Sequence, residues 1–168
     1  MQNNHNQQYV TFTLNKDLYG LAVSQTRVIL DQVTVTKVPH SSEDLLGVIN
    51  LRGQVVPVVD MHTKLRLSAT AVENKSSCII VAEVEIDDEV HIVGIQVDEV
   101  REVMELAKDM IEPPPRLGTY INTNFIKGMG KVDEQFMVLL DINRLFDETE
   151  ITEFQAVAEE PAGELLEA

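Results

Sequence analysis

The chain has no tryptophan, a single cysteine and, with five Phe and three Tyr, few aromatic residues among its 168. Without large aromatic rings, a body that is 44% hydrophobic must build its core from Val, Ile and Leu. Those side chains favour strands. One cysteine excludes an internal disulfide, and Cys78, set beside Ile79-Ile80-Val81, reads as a small buried hydrophobe in a reduced compartment. Bases are scarce: 13 against 28 acids, for a net charge of −15. Eight of the acids and none of the bases follow Arg144, so the body carries −7 and the tail supplies the rest. Scattered bases give no patch for nucleic acid or an anionic membrane, which leaves proteins as the natural partners. No apolar run approaches the ~18 residues of a membrane span. The first eight residues lack the basic and apolar regions of a secretory leader. A cytoplasmic protein is expected.

Catalytic constellations are missing as well. His5, His40, His62 and His91 stand at unrelated spacings with no ligand pattern around them, so no metal is expected and His62 reads as a surface residue beside a cap. Asp98, Glu99 and Glu102 enclose Arg101, the mark of a solvated face rather than of an acid/base pair. Cys78 has no base nearby in sequence, and Gly128-Met129-Gly130 lacks the third glycine and the helix of a dinucleotide motif. The chain reads as a non-enzyme without cofactors.

What is present is a repeat. Gly47 to Asp60 returns 81 positions later as Gly128 to Asp141, and in both copies a large apolar residue follows the Asp by five positions, Leu65 and Phe146. Upstream, Tyr19-Gly20-Leu21-Ala22-Val23 returns at a shift of 74 as Val93-Gly94-Ile95-Gln96-Val97, with Arg27 on Arg101 and Pro39 on Pro113. The growing shift places an insertion in the second copy, over residues 114–124. Two half-domains of about 65 to 75 residues are too small to stand alone and are expected to share a core. The tips differ: Arg52-Gly53 in one copy, Asp133-Glu134 in the other.

Alternation and turn residues predict four hairpins: Tyr9–Leu14 with Leu18–Val23 across Asn15-Lys16-Asp17; Val48–Leu51 with Gln54–Val59 across Arg52-Gly53; Cys78–Ile86 with Val90–Val97 across Asp87-Asp88-Glu89; and Ile126–Val132 with Gln135–Leu140. Ser24 is placed as the cap of a short helix or bulged turn through Arg27. Val33, Val35 and Val38 mark a further strand ended by Pro39, and Ser41 to Asp44 a helical turn. Pro57 points to an edge or bulge. Residues 68–77 read as a polar linker at the seam between halves, and residues 1–8 as disordered. Past Phe146 an acidic segment, 147–168, begins with a helix over 148–157 that aligns Ile151, Phe154 and Val157, then frays. The fold class is all-β with minor helices: two small antiparallel barrels side by side on a shared hydrophobic core, followed by a C-terminal helix.

The segment Gly47 to Asp60, with Val93 to Val100, Ile111 to Pro115, Phe125 to Gly130 and Leu139 to Leu145 in order, resembles the CheW family of chemotaxis coupling proteins over about residues 9–146. The resemblance implies two five-stranded SH3-like barrels. It also implies a non-catalytic scaffold at receptor arrays on the inner face of the membrane, binding the regulatory domain of a CheA-type histidine kinase and the cytoplasmic tip of chemoreceptors. By position it assigns protein binding to Asn50, Arg52, Gly53, Val55, Val56, Pro57 and Val58, with Ile29, Val33 and Val35 lining a groove for the receptor helices. One departure is visible. Where the family usually carries a glutamate, this chain reads Thr26-Arg27-Val28-Ile29, while its own second copy keeps Glu102. Arg52 is therefore expected to face solvent or a different carboxylate. A paralogue serving another chemosensory pathway, such as twitching motility, and a regulatory binding module outside arrays are the alternatives.

Overall fold

The computed structural model describes residues 6–31, 33–38, 43–67, 78–113 and 124–156. Its elements are β1 (Gln7–Leu14), β2 (Asp17–Ala22), β3 (Thr26–Asp31), β4 (Leu45–Leu51), β5 (Gln54–Asp60), α1 (Met61–Lys64), β6 (Cys78–Ile86), β7 (Glu89–Val97), β8 (Glu99–Leu106), β9 (Ile111–Glu112), β10 (Ile126–Val132), β11 (Gln135–Leu140) and α2 (Ile142–Leu145). A last helix, α3, follows over residues 148–156. The expected linker, the insertion apart from Asn124, Pro39 to Ser42 and Val157 fall outside the described residues.

Two curled sheets form, and each draws on both copies of the repeat. One runs β8-β1-β2-β11-β10-β9, the other β3-β6-β7-β5-β4. The leading hairpin of each copy has thus crossed into the other copy's barrel: β1-β2 joins β8 and β10-β11, while β6-β7 joins β3 and β4-β5. Both sheets are antiparallel except at one junction, where β11 meets β2 and β5 meets β7 in parallel. The repeated glycines stand there. A Cβ on Gly20 would lie 3.0 Å from Leu139, and one on Gly94 3.0 Å from Ile79 and 3.3 Å from Val58. At the first junction the ladder begins with Val138 opposite Tyr19. At the second, the corresponding pair would be Pro57 opposite Val93, and the ladder starts one residue later at Val58. Pro57 has no N–H to give and stands at the end of the ladder.

Period-2 geometry divides the strands between two kinds of core. Val56, Val58, Ile79 and Val81 fill the interior of the second barrel. Their neighbours Val59, Ile80 and Ala82 turn to the shared core with Phe12, Leu14, Ile95 and Leu140. Tyr9, Leu106, Met137 and Leu139 fill the first barrel. Near-continuous apolar runs are the result, because both faces are covered. Each fully buried Val, Ile or Leu contributes about 1.5–3 kcal/mol.

Local chemistry explains the repeat's other anchors. Asp60 and Asp141 cap α1 and α2: the carboxylates accept the N–H groups of His62 at 3.1 Å and Asn143 at 3.2 Å. Their own N–H groups bond the carbonyls of Asp44 and Phe125, one on each copy. The hairpins turn on two residues, not three. Leu14 faces Asp17 and Ile86 faces Glu89, with positive φ at Asn15, Lys16, Asp87 and Asp88, as the twist of a two-residue hairpin demands. Residues 33–38 form no strand but a single bridge from Thr36 to Val48. The strand lies earlier, at Thr26–Asp31, after a 3-10 turn at Val23–Gln25.

Candidate functional site

The β4-β5 hairpin projects from the second barrel. Leu51 faces Gln54, and between them Arg52 and Gly53 take φ of 54° and 88°. Asn50 locks the turn, its Oδ1 accepting the Gly53 N–H at 2.8 Å. The tip is exposed, and among the described residues no carboxylate pairs with Arg52. Val28 packs with Leu30, Val33, Val35 and Leu51 against the second-barrel interior, an apolar side chain at the position where the other copy has Glu102. Arg27 beside it pairs with Glu83 at 3.0 Å instead.

The two copies nevertheless share a bulge here. The β3 ladder slips between Thr26 and Val28, leaving Arg27 as the extra residue, and the β8 ladder slips around Arg101 and Glu102. In the second case the buried Thr11 hydroxyl repairs the gap, donating to the Glu102 carbonyl at 2.6 Å and accepting its N–H at 3.0 Å.

The residues assigned by resemblance fall into four groups. Asn50, Arg52, Gly53 and half-buried Val55 form the exposed tip, Asn50 and Val55 being cross-strand partners. Val33 and Val35 are partly buried rim residues of the second-barrel cluster. Ile29, 40% exposed, lies at the far edge of the sheet, in register with Ile80 and separated from β5 by β6 and β7. Val56, Pro57 and Val58 are buried, on a strand flanked by β7 on one side and β4 on the other.

Sequence spacing gave no sign of a latch between the barrels. Asp98, at the crossover from β7 to β8, takes His62 Nε2 of α1 at 2.7 Å on one oxygen and the Asn15 N–H of the β1-β2 turn at 2.8 Å on the other. His62 is thus a tethered residue, not a free surface one. Because Asp98 holds two elements at once, Asp98→Ala is expected to destabilise by about 2 kcal/mol, more than His62→Ala, in chemical denaturation.

A second charged group joins α1 to α3. Lys64 Nζ pairs with Glu150 and stands 5.2 Å from the Phe146 ring. Burial pushes the nearby Asp44 carboxyl above its usual range, Lys64 opposing this and Glu150 and Glu43 reinforcing it. Elsewhere, a polar cleft of about 460 Å³ is lined by Gln7, Glu83, Glu85, Lys127 and Asn143 among others. Among the described residues no three His, Cys, Asp or Glu side chains gather as metal ligands. Burial raises the Cys78 pKa, away from thiolate character. No described helix is long and apolar enough to cross a membrane.

The arrangement, then, is a pair of barrels on a shared core presenting an arginine-tipped hairpin. Among solved structures the chain is similar to the scaffolding protein TtCheW from Thermoanaerobacter tengcongensis. The two are 32% identical, with a TM-score of 0.72 over 86% of this chain and 94% of that one. It is 28% identical to the chemotaxis protein CheW of Klebsiella aerogenes, covering 90% of this chain and 89% of the relative. It is 30% identical to the chemotaxis protein CheW of Bacillus subtilis, covering 82% and 85%. The CheW-like domain matches residues 8–150, and the chain belongs to that family.

Proposed function

We propose that this protein is a non-catalytic adaptor of bacterial chemotaxis, coupling the cytoplasmic tips of chemoreceptors to the regulatory domain of a CheA-type histidine kinase. It would work in the cytoplasm, held at receptor arrays through its partners. The observation that carries this reading is the Asn50-braced Arg52-Gly53 tip, exposed and without an acid among the described residues. A pre-set hairpin loses little freedom on binding, and an unpaired guanidinium at its end suits a carboxylate-bearing partner. Asn50, Arg52, Gly53 and Val55 are assigned to the kinase, and Ile29, Val33 and Val35 to the receptor.

The test is co-sedimentation with receptor tips and kinase, together with kinase activity. Arg52→Ala is expected to weaken co-assembly roughly tenfold while changing stability by less than about 0.5 kcal/mol. Wild-type protein that behaves like an empty control in both assays would end the coupling reading. Val28 favours a second one: with the first-copy acid replaced by an apolar side chain, the partners belong to another chemosensory pathway, such as one controlling twitching motility. Val28→Glu separates the two if it shifts preference between kinases.

A further inference from the structure

Helix α3 spans residues 148–156 and buries only two of them, Ile151 and Phe154. Both enter the shared core, where Phe154 meets Phe146 edge-to-face at 6.0 Å. Most of the other residues face water. So short a helix is not stable by itself, so leaving the cleft means unfolding. Glu150 joins the two events. Its Oε1 accepts the Asp147 N–H at 3.1 Å, while Asp147 Oδ1 accepts the Glu150 N–H at 2.8 Å, a reciprocal cap that starts the helix. Its Oε2 pairs with Lys64 on α1. One side chain therefore both starts α3 and fastens it to α1. The ladders of both barrels close without α3, which adds Ile151 and Phe154 to the core between them.

We propose that α3 is a displaceable occupant of a helix-docking cleft, and that the same cleft takes a partner's amphipathic helix carrying an acid followed by apolar residues at the next and fourth positions. Glu150, Ile151 and Phe154 display that pattern in cis. Lys64 receives the acid, a cation fixed over the Phe146 ring in a protein whose formal charge is −15. Displacement exposes the two apolar sockets only while a replacement is at hand, so the strap shields the cleft in the free protein. This rests on the coupling reading only for the natural source of the helix, a receptor tip, which would meet the protein here in addition to Ile29, Val33 and Val35. The cleft itself is tested without it.

The probe is a fluorescein-labelled peptide of residues 146–157, titrated by anisotropy into the full chain. Wild type is expected to bind it weakly, and Phe154→Ala at least about tenfold more tightly, because the resident helix has lost an anchor and the open fraction rises. Glu150→Gln, a milder change, should move affinity the same way. A peptide with the acid at its position 150 replaced by alanine should bind less well to every protein. Hydrogen exchange should show 148–156 opening while the barrel strands stay protected. Equal peptide affinity for wild type and both variants, or exchange of 148–156 only together with the strands, would overturn the proposal. A receptor hairpin that displaces the peptide identifies the natural helix. If the peptide binds but no receptor co-sediments, the cleft stands and the coupling reading falls.

Discussion

Gly47→Ala is expected to destabilise the protein by about 3 kcal/mol or more, read from the midpoint of a urea titration. A Cβ at position 47 would lie 2.0 Å from the Thr36 carbonyl oxygen and 2.7 Å from its carbon. Both atoms are backbone, and they belong to the bridge in which Thr36 and Val48 exchange N–H···O bonds of 2.8 Å each. No rotamer change relieves the contact. The segment carrying Val33 and Val35 would have to leave the barrel, uncovering the apolar cluster beneath. Gly53 is the control. Nothing stands within 4 Å of a Cβ there, so Gly53→Ala meets only the strain of φ +88°, about 1 kcal/mol. Equal effects at the two sites would mean that backbone conformation, not close approach, dictates the glycine at 47.

Phe146→Ala should be comparably severe, about 3–5 kcal/mol, and uneven across the molecule. The ring is buried in the shared core, supports Phe154 from the side and carries Lys64 over its face. Its removal opens a cavity at the point where α2 hands over to α3. Hydrogen exchange is expected to show 148–156 losing protection before the strands do. Uniform loss in both regions would show that α3 unfolds only with the barrels.

The repeat was legible because its anchors perform duties that few residue types can. Only an Asx or hydroxyl side chain caps α1 and α2 as Asp60 and Asp141 do, only glycine fits opposite Thr36, and the parallel junctions leave little room for a Cβ at Gly20 or Gly94. Hairpins were legible for the same reason. Their turns were read one residue too long because Asp17 and Glu89 are polar, yet each is the first residue of its strand and owes its polarity to exposure. The alternation of Val33, Val35 and Val38 resembled a strand, but there the apolar spacing serves to cover the cluster under the β4-β5 hairpin. The true strand, Thr26–Asp31, was masked by the turn chemistry of Ser24. Which hairpin pairs with which was not legible at all. Periodicity says which face is buried and nothing about which hairpin lies alongside, so neither the exchange of hairpins nor the contact of His62 with Asp98, 36 residues away, could be read from spacing. Of the candidate site, the tip was visible in Asn50 to Gly53. For Val56 to Val58 the sequence left core and contact both open, since a strand buried on both faces and one exposed on one face are equally apolar in sequence.

The exchanged hairpins set an order on synthesis. During translation the second barrel has its five strands once Val97 has left the ribosome. The first barrel must wait for Leu139, which pairs with Gly20 across the length of the chain. Until β8 emerges at Leu106, β1-β2 is a lone hairpin, marginal in water. From then until β11 is made it stands in a three-stranded sheet with β8. β2 is thus an open edge until late in synthesis, and the nascent chain passes through a stage in which one barrel is complete and the other is half made.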